Sequence, residues 1–120
     1  MEKYRLGEME QRFADLIWAN EPLTSRTLTE LCENEFVWKR TTTYTMLKRL
    51  CERGIFQNNG GTVTSLMSKH EFGAAQGEQL LSDAFGGSLP QFLVAFTRRN
   101  KLTSKEISEI QRLIDEHKEG

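Results

Sequence analysis

Residues 38–54 read WKRTTTYTMLKRLCERG and carry the clearest structural pattern in the chain. Apolar side chains recur within this stretch at the spacing of one helix face, namely Met46, Leu47, Leu50 and Cys51. The run TTTYT at 41–45 is costly in a helix, because β-branched and aromatic side chains lose χ1 freedom there. At about 0.5 kcal/mol per residue relative to alanine, the run costs roughly 2–3 kcal/mol. We therefore expect its hydroxyls to serve something other than helix stability.

Most of these hydroxyls face away from the apolar side of the predicted helix, and only Thr43 lies with the core-facing residues. The outer face and its two flanks carry Thr41, Thr42, Tyr44, Thr45, Lys48, Arg49 and Glu52. A hydroxyl can bond a base edge or a phosphate, and a threonine methyl can pack on a thymine methyl. The pattern favours DNA readout. The alternative is a solvated polar face in which Thr41 serves as the helix N-cap.

The charge is distributed unevenly. The whole chain has a net charge of −1, which by itself points to neither nucleic acid nor a membrane. Residues 36–53, however, carry five basic residues against Glu52 alone, a net charge of +4. Lys39 and Arg40 oppose the dipole at the helix start and cost a few tenths of a kcal/mol, unless an anion binds there. This local basic patch indicates a nucleic-acid partner.

Capping and turn signals place the other elements. A first amphipathic helix ends at about Asn20, and Thr24 caps a second helix. The third runs from about Arg40 to Arg53, and Gly54 follows it. Asn59-Gly60 is a preferred type I′ turn pair, which predicts a hairpin over residues 55–67.

Three more helices follow the hairpin. Capping boxes at 68–71 and 103–106 open the fourth and the last, and Ser88 caps the fifth, with Pro90 in its first turn. Three helices and a hairpin form a winged helix-turn-helix, whose third helix enters a DNA major groove. We therefore predict a mainly α fold, with a winged-helix DNA-binding domain at residues 1–70 and a helical dimerisation domain at 71–120.

The predicted second domain is rich in large apolar side chains. Those on its last two helices are Phe92, Leu93, Phe96, Ile107, Ile110, Leu113 and Ile114. A segment this small rarely buries enough apolar surface to be stable by itself. A two-fold dimer would bury this stripe and present two recognition helices to two half-sites. Alternatively, these helices cover their own winged helix.

The sequence argues against an enzyme. His70 and His117 are the two histidines, and neither has an acidic or cysteine partner at a metal-ligand spacing. We expect no catalysis, no cofactor and no metal. Cys32 and Cys51 fall among apolar helix positions, so we expect reduced, buried thiols rather than a disulfide or redox switch.

The expected location is the cytoplasm. No apolar run approaches the ~20 residues of a membrane span. The N-terminal stretch MEKYRLGEMEQ lacks the apolar core of a signal peptide. We therefore expect a cytoplasmic protein that does not enter the membrane.

Over residues 6–118 the chain resembles the penicillinase repressor family, whose members are winged-helix repressors. LGEMEQRFADLIWAN (6–20) is similar to the family's first helix, and TTTYTMLKRLCERGI (41–55) to its recognition helix and the turn into the wing. FGGSLPQFLVAFTRRNKLTSKEISEIQRLIDEHK (85–118) is the more specific match, because its Gly-Gly, Phe-containing helix and capped last helix follow the order of the family's dimerisation domain.

The resemblance implies a homodimeric repressor that binds a palindromic double-stranded operator and controls an antibiotic-resistance or stress operon. It implies dimer contacts from the last two helices. The DNA contacts that it implies are Thr41, Thr42, Tyr44, Thr45 and Arg49. The implied phosphate ligands are Lys39, Arg40 and Lys48.

Three features of the chain depart from the family pattern. In resistance members an activated membrane sensor protease triggers cleavage before a Phe of the fifth helix. The matching bond here is Ala95-Phe96, but those repressors have Asn where this chain has Ala95, so cleavage is a hypothesis. The wing, QNNGGTVTSLM (57–67), has no Lys or Arg, which leaves weaker phosphate contacts or backbone N–H contacts. Copper-responsive relatives carry a C-terminal cysteine motif, whereas the last cysteine here is Cys51, so copper sensing is not expected.

A second class of function stays open at this point. A winged helix can become a protein-interaction module, and the acidic overall charge and uncharged wing are compatible with that function. Salt dependence discriminates the two, because binding through several phosphates weakens steeply with salt and a hydrophobic protein interface does not.

Overall fold

The structure, a computed structural model, describes residues 4–120. Its helices are α1 (Glu8–Asn20), α2 (Ser25–Phe36), α3 (Arg40–Glu52), α4 (Lys69–Phe85), α5 (Leu89–Arg99) and α6 (Ser104–Glu119). Its strands are β1 (Leu23–Thr24), β2 (Phe56–Asn59) and β3 (Thr62–Ser65). This is the predicted architecture, a mainly helical winged helix-turn-helix followed by further helices. Within the described residues, no helix is long and apolar enough to cross a membrane.

The sheet contains one strand that the sequence does not predict. Its order is β1-β3-β2, with antiparallel pairing throughout. The two-residue β1 pairs Leu23 with Val63. A strand this short shows no periodicity of its own, and tertiary pairing with the wing defines it.

The wing turn lies one residue later than predicted. Asn59 pairs with Thr62, so the two-residue loop is Gly60-Gly61 rather than Asn59-Gly60. Both loop residues have positive φ, +59° and +94°, as a type I′ turn requires. Two glycines adopt this conformation without a steric cost. The Asn58 side-chain oxygen also accepts a hydrogen bond from the Gly61 N–H at 3.0 Å, which closes the turn.

The core of the first compact unit, which ends at Gln79, lies between the helices and the sheet. Its largest fully buried apolar side chains are Phe13, Ile17, Leu28, Leu50, Ile55, Phe56, Val63 and Phe72. Each contributes about 1.5–3 kcal/mol relative to an exposed position. Trp18 packs on Phe56 and Phe72 and donates its indole N–H to the Met67 carbonyl at 3.0 Å. This core fixes α3 against α1, α2 and the wing.

The turn between α2 and α3 contains a strained residue. Val37 ends α2 in the left-handed region, at φ 57° and ψ 36°. Its neighbours Phe36 and Trp38 turn inward, with ring centroids 4.8 Å apart, and Trp38 also packs on Phe13. Val37 itself is 86% exposed. A β-branched residue in this conformation is an outlier that costs free energy.

The second compact unit runs from Leu80 to Gly120. Ser88 caps α5 by accepting from the Gln91 N–H, and Thr103 and Glu106 form the predicted capping box of α6. The first half of α4 belongs to the first unit, since Phe72 is buried there and the Gln76 amide donates to the Tyr4 carbonyl at 3.1 Å.

Candidate nucleic-acid interface

The structure brings all eight predicted DNA-binding residues onto one exposed surface. We call this set the α3 face. It consists of Lys39, Arg40, Thr41, Thr42, Tyr44, Thr45, Lys48 and Arg49, each of them exposed. The opposite side of the helix, with Thr43, Leu47 and Leu50, is buried in the core. Burial of the apolar side therefore forces the hydroxyls and cations of α3 outward, as the helical wheel indicates.

The start of α3 has no side-chain cap. The N-cap residue is Lys39, and its side chain makes no capping hydrogen bond. Thr41 is therefore not the N-cap, and this part of the alternative explanation is wrong. The Lys39 carbonyl accepts from the N–H groups of Thr42 and Thr43 at 3.0 and 3.2 Å. A helix start with two cations and no capping acceptor favours an anion such as a phosphate.

Two hydroxyls of the α3 face make hydrogen bonds within the chain. Thr45 Oγ1 donates to the Thr41 carbonyl at 2.9 Å, so its lone pairs and its methyl group remain for a partner. The Tyr44 hydroxyl donates to Ser25 Oγ at 3.3 Å, at the start of α2, and the side chain is 40% exposed. The hydrogen bond of Thr45 thus orients its side chain, whereas the longer Tyr44–Ser25 contact restrains Tyr44 only weakly.

Two depressions border the face. The first, of about 240 Å³, is lined by Thr41, Thr42, Thr45, Met46 and Arg49. The second, of about 390 Å³, lies between α3 and β2 and is lined by Tyr44, Leu47, Lys48, Cys51 and Asn58. Residues of the exposed helix thus line both depressions.

An ion-pair cluster that sequence reasoning missed lies at the edge of the face. Glu10 Oε2 of α1 is 3.6 Å from an Arg49 guanidinium nitrogen and 3.9 Å from one of Arg53. Arg53 also donates to the Arg5 carbonyl at 2.9 Å. No local pattern in the sequence signals a pair between helices this far apart in the chain; it follows from tertiary packing of α1 on α3.

The wing is anchored by a carboxylate and by backbone hydrogen bonds. The Glu21 carboxylate accepts from the Ser65 N–H and hydroxyl at 2.7–2.9 Å. The Ser25 N–H donates to the Gly61 carbonyl at 2.8 Å, which ties the wing tip to the start of α2. The wing therefore lies beside α3 in a fixed position, without a cation of its own.

Both thiols are free. Burial raises the pKa of Cys32, and the neighbouring Thr43 hydroxyl offsets part of the rise. That hydroxyl is buried without a hydrogen bond of regular geometry, so its interaction with the thiol is weak. Burial also raises the pKa of Cys51, and the charge of Glu52 adds to the effect. Raised pKa values keep both groups as unreactive thiols at neutral pH. Among residues 4–120, no group of three His, Cys, Asp or Glu side chains could hold a metal ion.

The predicted dimerisation residues stay accessible. No residue of α5 or α6 is buried. Phe92, Leu93 and Ile110 are half-buried. Four others are exposed, namely Phe96, Ile107, Leu113 and Ile114. Ala95 and Phe96, the residues of the predicted cleavage bond, lie within α5.

Comparison with known proteins identifies the family of this chain. The sequence model of the family described as penicillinase repressor matches residues 6–116. The chain is also similar to the penicillinase repressor of Bacillus licheniformis, with 21% identity over 118 residues that cover 95% of this chain and 92% of that protein. The chain therefore belongs to the penicillinase repressor family, which is a family of DNA-binding transcriptional repressors and not of enzymes.

Proposed function

We propose that this chain is a cytoplasmic, sequence-specific repressor that binds a palindromic operator as a homodimer. In this proposal residues 1–70 read the DNA and residues 71–120 form the dimer. The observation that carries it is the α3 face, where hydroxyls and cations surround a helix start that no side chain caps. In this proposal the dimer represses by occupying the operator. The operon controlled is one for antibiotic resistance or stress.

The residues of the α3 face have two roles in this proposal. Thr41, Thr42, Tyr44 and Thr45 contact base edges, because their hydroxyls and methyl groups match groups displayed in the major groove. Arg49 contacts DNA at the edge of the face. The remaining cations, Lys39, Arg40 and Lys48, bind phosphates and supply affinity that depends on salt.

Dimerisation rests on the exposed apolar side chains of α5 and α6. Large apolar side chains such as Leu113, 65% exposed, and Ile107, 52% exposed, are unfavourable in water when they form a contiguous patch. An isologous contact would remove the same patch of both copies from water.

Induction by proteolysis is a separate hypothesis. A membrane sensor protease would trigger cleavage of the Ala95-Phe96 bond, which lies inside α5 among the proposed dimer contacts. Cleavage there would separate α6 from the winged helix and break the dimer. Co-expression with a neighbouring sensor protease, followed by mass spectrometry after induction, tests it. An intact chain would contradict the hypothesis.

Selection of DNA from a random duplex library tests the main proposal. We expect the full chain to enrich an inverted repeat whose half-sites are one helical turn, or a multiple of it, apart. Failure to enrich any sequence would contradict sequence-specific binding. Enrichment of a single half-site without its repeat would contradict binding as a dimer.

One observation favours a second candidate, a winged helix that binds a protein. The wing carries no Lys or Arg, so it supplies no cation to a phosphate. Complexes with a protein partner that resist high salt, together with no preference among duplexes, would favour that function.

A further inference from the structure

We propose that Glu10 is a positioning residue that sets how Arg49 meets DNA and thereby sharpens sequence discrimination. The inference rests on the proposed function, since Arg49 matters only if the α3 face binds DNA. Glu10 itself lies on α1 and outside the α3 face. It would act on DNA through the guanidinium that it holds.

The carboxylate of Glu10 is built into the fold. Its side chain is only 16% exposed, although it lies in the first turn of a surface helix. Oε1 accepts from the Gly7 N–H at 2.9 Å, which fixes the carboxylate at the start of α1. Oε2 is therefore held toward α3, where it meets the two guanidinium groups.

The two arginines are held differently. Arg53 is anchored on a second side, because it donates to the Arg5 carbonyl, and its side chain is 27% exposed. Arg49 is 52% exposed and lines the depression beside Thr41 and Thr45. Arg53 is thus structural, whereas Arg49 extends from Glu10 toward the surface that would contact DNA.

Two physical effects then both increase the preference of the chain for its intended DNA sequence over other sequences. A free arginine loses rotamer entropy when a partner fixes it, and Glu10 removes part of that freedom before binding. Ordering of this kind favours the register in which the guanidinium meets its intended partner. The negative charge of Glu10 also offsets part of the attraction of Arg49 for any phosphate, which weakens sequence-independent binding.

The test is Glu10→Gln, with Glu8→Gln as its matched control. The amide oxygen of glutamine can still accept from the Gly7 N–H, so the start of α1 is preserved. Glu8 lies in the same first turn and makes no ion pair within residues 4–120, so its neutralisation removes the same charge without releasing Arg49. Thermal unfolding checks that both variants fold.

Dissociation constants are measured for a duplex selected by the native chain and for its shuffled version. In Glu10→Gln the ratio of shuffled to selected constants should fall by about tenfold, the size of one good contact. In Glu8→Gln the ratio should stay as in the native chain. In an Arg49→Ala background, Glu10→Gln should change the ratio no further, because the residue through which it acts is gone.

An unchanged ratio in Glu10→Gln would overturn the proposal, as would an equal fall in Glu8→Gln or in the Arg49→Ala background. These failures differ from failure of the proposed function. If the native chain prefers no duplex, DNA readout by the α3 face is wrong. If it prefers one and Glu10→Gln does not alter the preference, only the role of Glu10 is wrong.

Discussion

At the scale of single residues, the threonines of α3 lower the helix propensity and place hydroxyl groups on the surface. Of the run at 41–45, only Thr43 is buried, and the others present a hydroxyl to solvent. Thr45 back-bonds to the Thr41 carbonyl, an arrangement that slightly destabilises a helix. These residues are therefore poor choices for stability and suitable ones for contacts with bases.

Thr45→Ala should separate these two properties. Loss of a base contact should cost about 1–3 kcal/mol of binding and relax preference at one operator position. Helix stability should stay equal or rise by about 0.5 kcal/mol, because alanine is the better helix former. Anisotropy with single-base variants and urea unfolding measure the two effects. Thr97→Ala is the control, because Thr97 makes the same hydroxyl bond to the carbonyl of Leu93 in α5. A Thr45→Ala variant with unaltered base preference would remove Thr45 from the interface.

Val37 differs from the threonines. Its left-handed backbone conformation is strained, and its side chain is exposed in the free chain. Asparagine tolerates the left-handed region far better than a β-branched residue does. Val37→Asn should therefore raise the free energy of unfolding by about 1 kcal/mol relative to Val37→Ala, which keeps the strain. Equal midpoints in urea for the two variants would show that the turn is unstrained.

At the scale of elements, the sequence predicts those features that depend on residues close together in the chain. The helix starts at Thr24, Ser88 and Thr103 follow from side chains that cap N–H groups within three residues. The wing turn and β1 depend on pairing across the chain, and there the prediction was one residue off or missing. The Glu10–Arg49 pair was missed for the same reason, because it exists only once α1 packs on α3. The positions of the α3 face were predictable, because burial of one side of a helix exposes the other.

Helix α4 carries two glycines that packing does not require. A Cβ added at Gly73 or Gly77 would meet no atom within 4 Å. Gly73→Ala and Gly77→Ala should therefore each raise the free energy of unfolding by about 0.5–1 kcal/mol. Gly60→Ala in the wing turn is the opposite control, because its φ of +59° strains any side chain, and it should destabilise. Urea unfolding gives all three values, and a loss of stability in Gly77→Ala would contradict the open packing.

At the scale of the whole molecule, the proposed dimer explains why a unit of 41 residues, Leu80–Gly120, leaves its apolar side chains accessible. The composition of α5 and α6 predicts such a surface, and in the proposed dimer a second copy of the chain covers it.

Leu113→Asp tests that surface most cleanly, because the side chain is 65% exposed and its loss leaves no cavity. We expect sedimentation of a monomer and much weaker operator binding, since a charge would be buried in the interface. Ser108→Asp adds the same charge on the polar side of α6 and should stay dimeric. A Leu113→Asp dimer with full affinity would place the interface elsewhere. Ile110→Asp is expected to act in the same direction, but Ile110 is half-buried within its own chain, which makes it the less specific variant.

Recognition of a specific DNA sequence by the α3 face can be measured by fluorescence anisotropy. The full chain is titrated with DNA from upstream of its own gene, with a shuffled duplex as control, at several salt concentrations. We predict tighter binding to the native duplex and a steep fall of affinity with salt, with a salt slope about one unit smaller in Lys48→Ala. Equal, weak binding to both duplexes, insensitive to salt, would contradict DNA readout there and favour a protein partner.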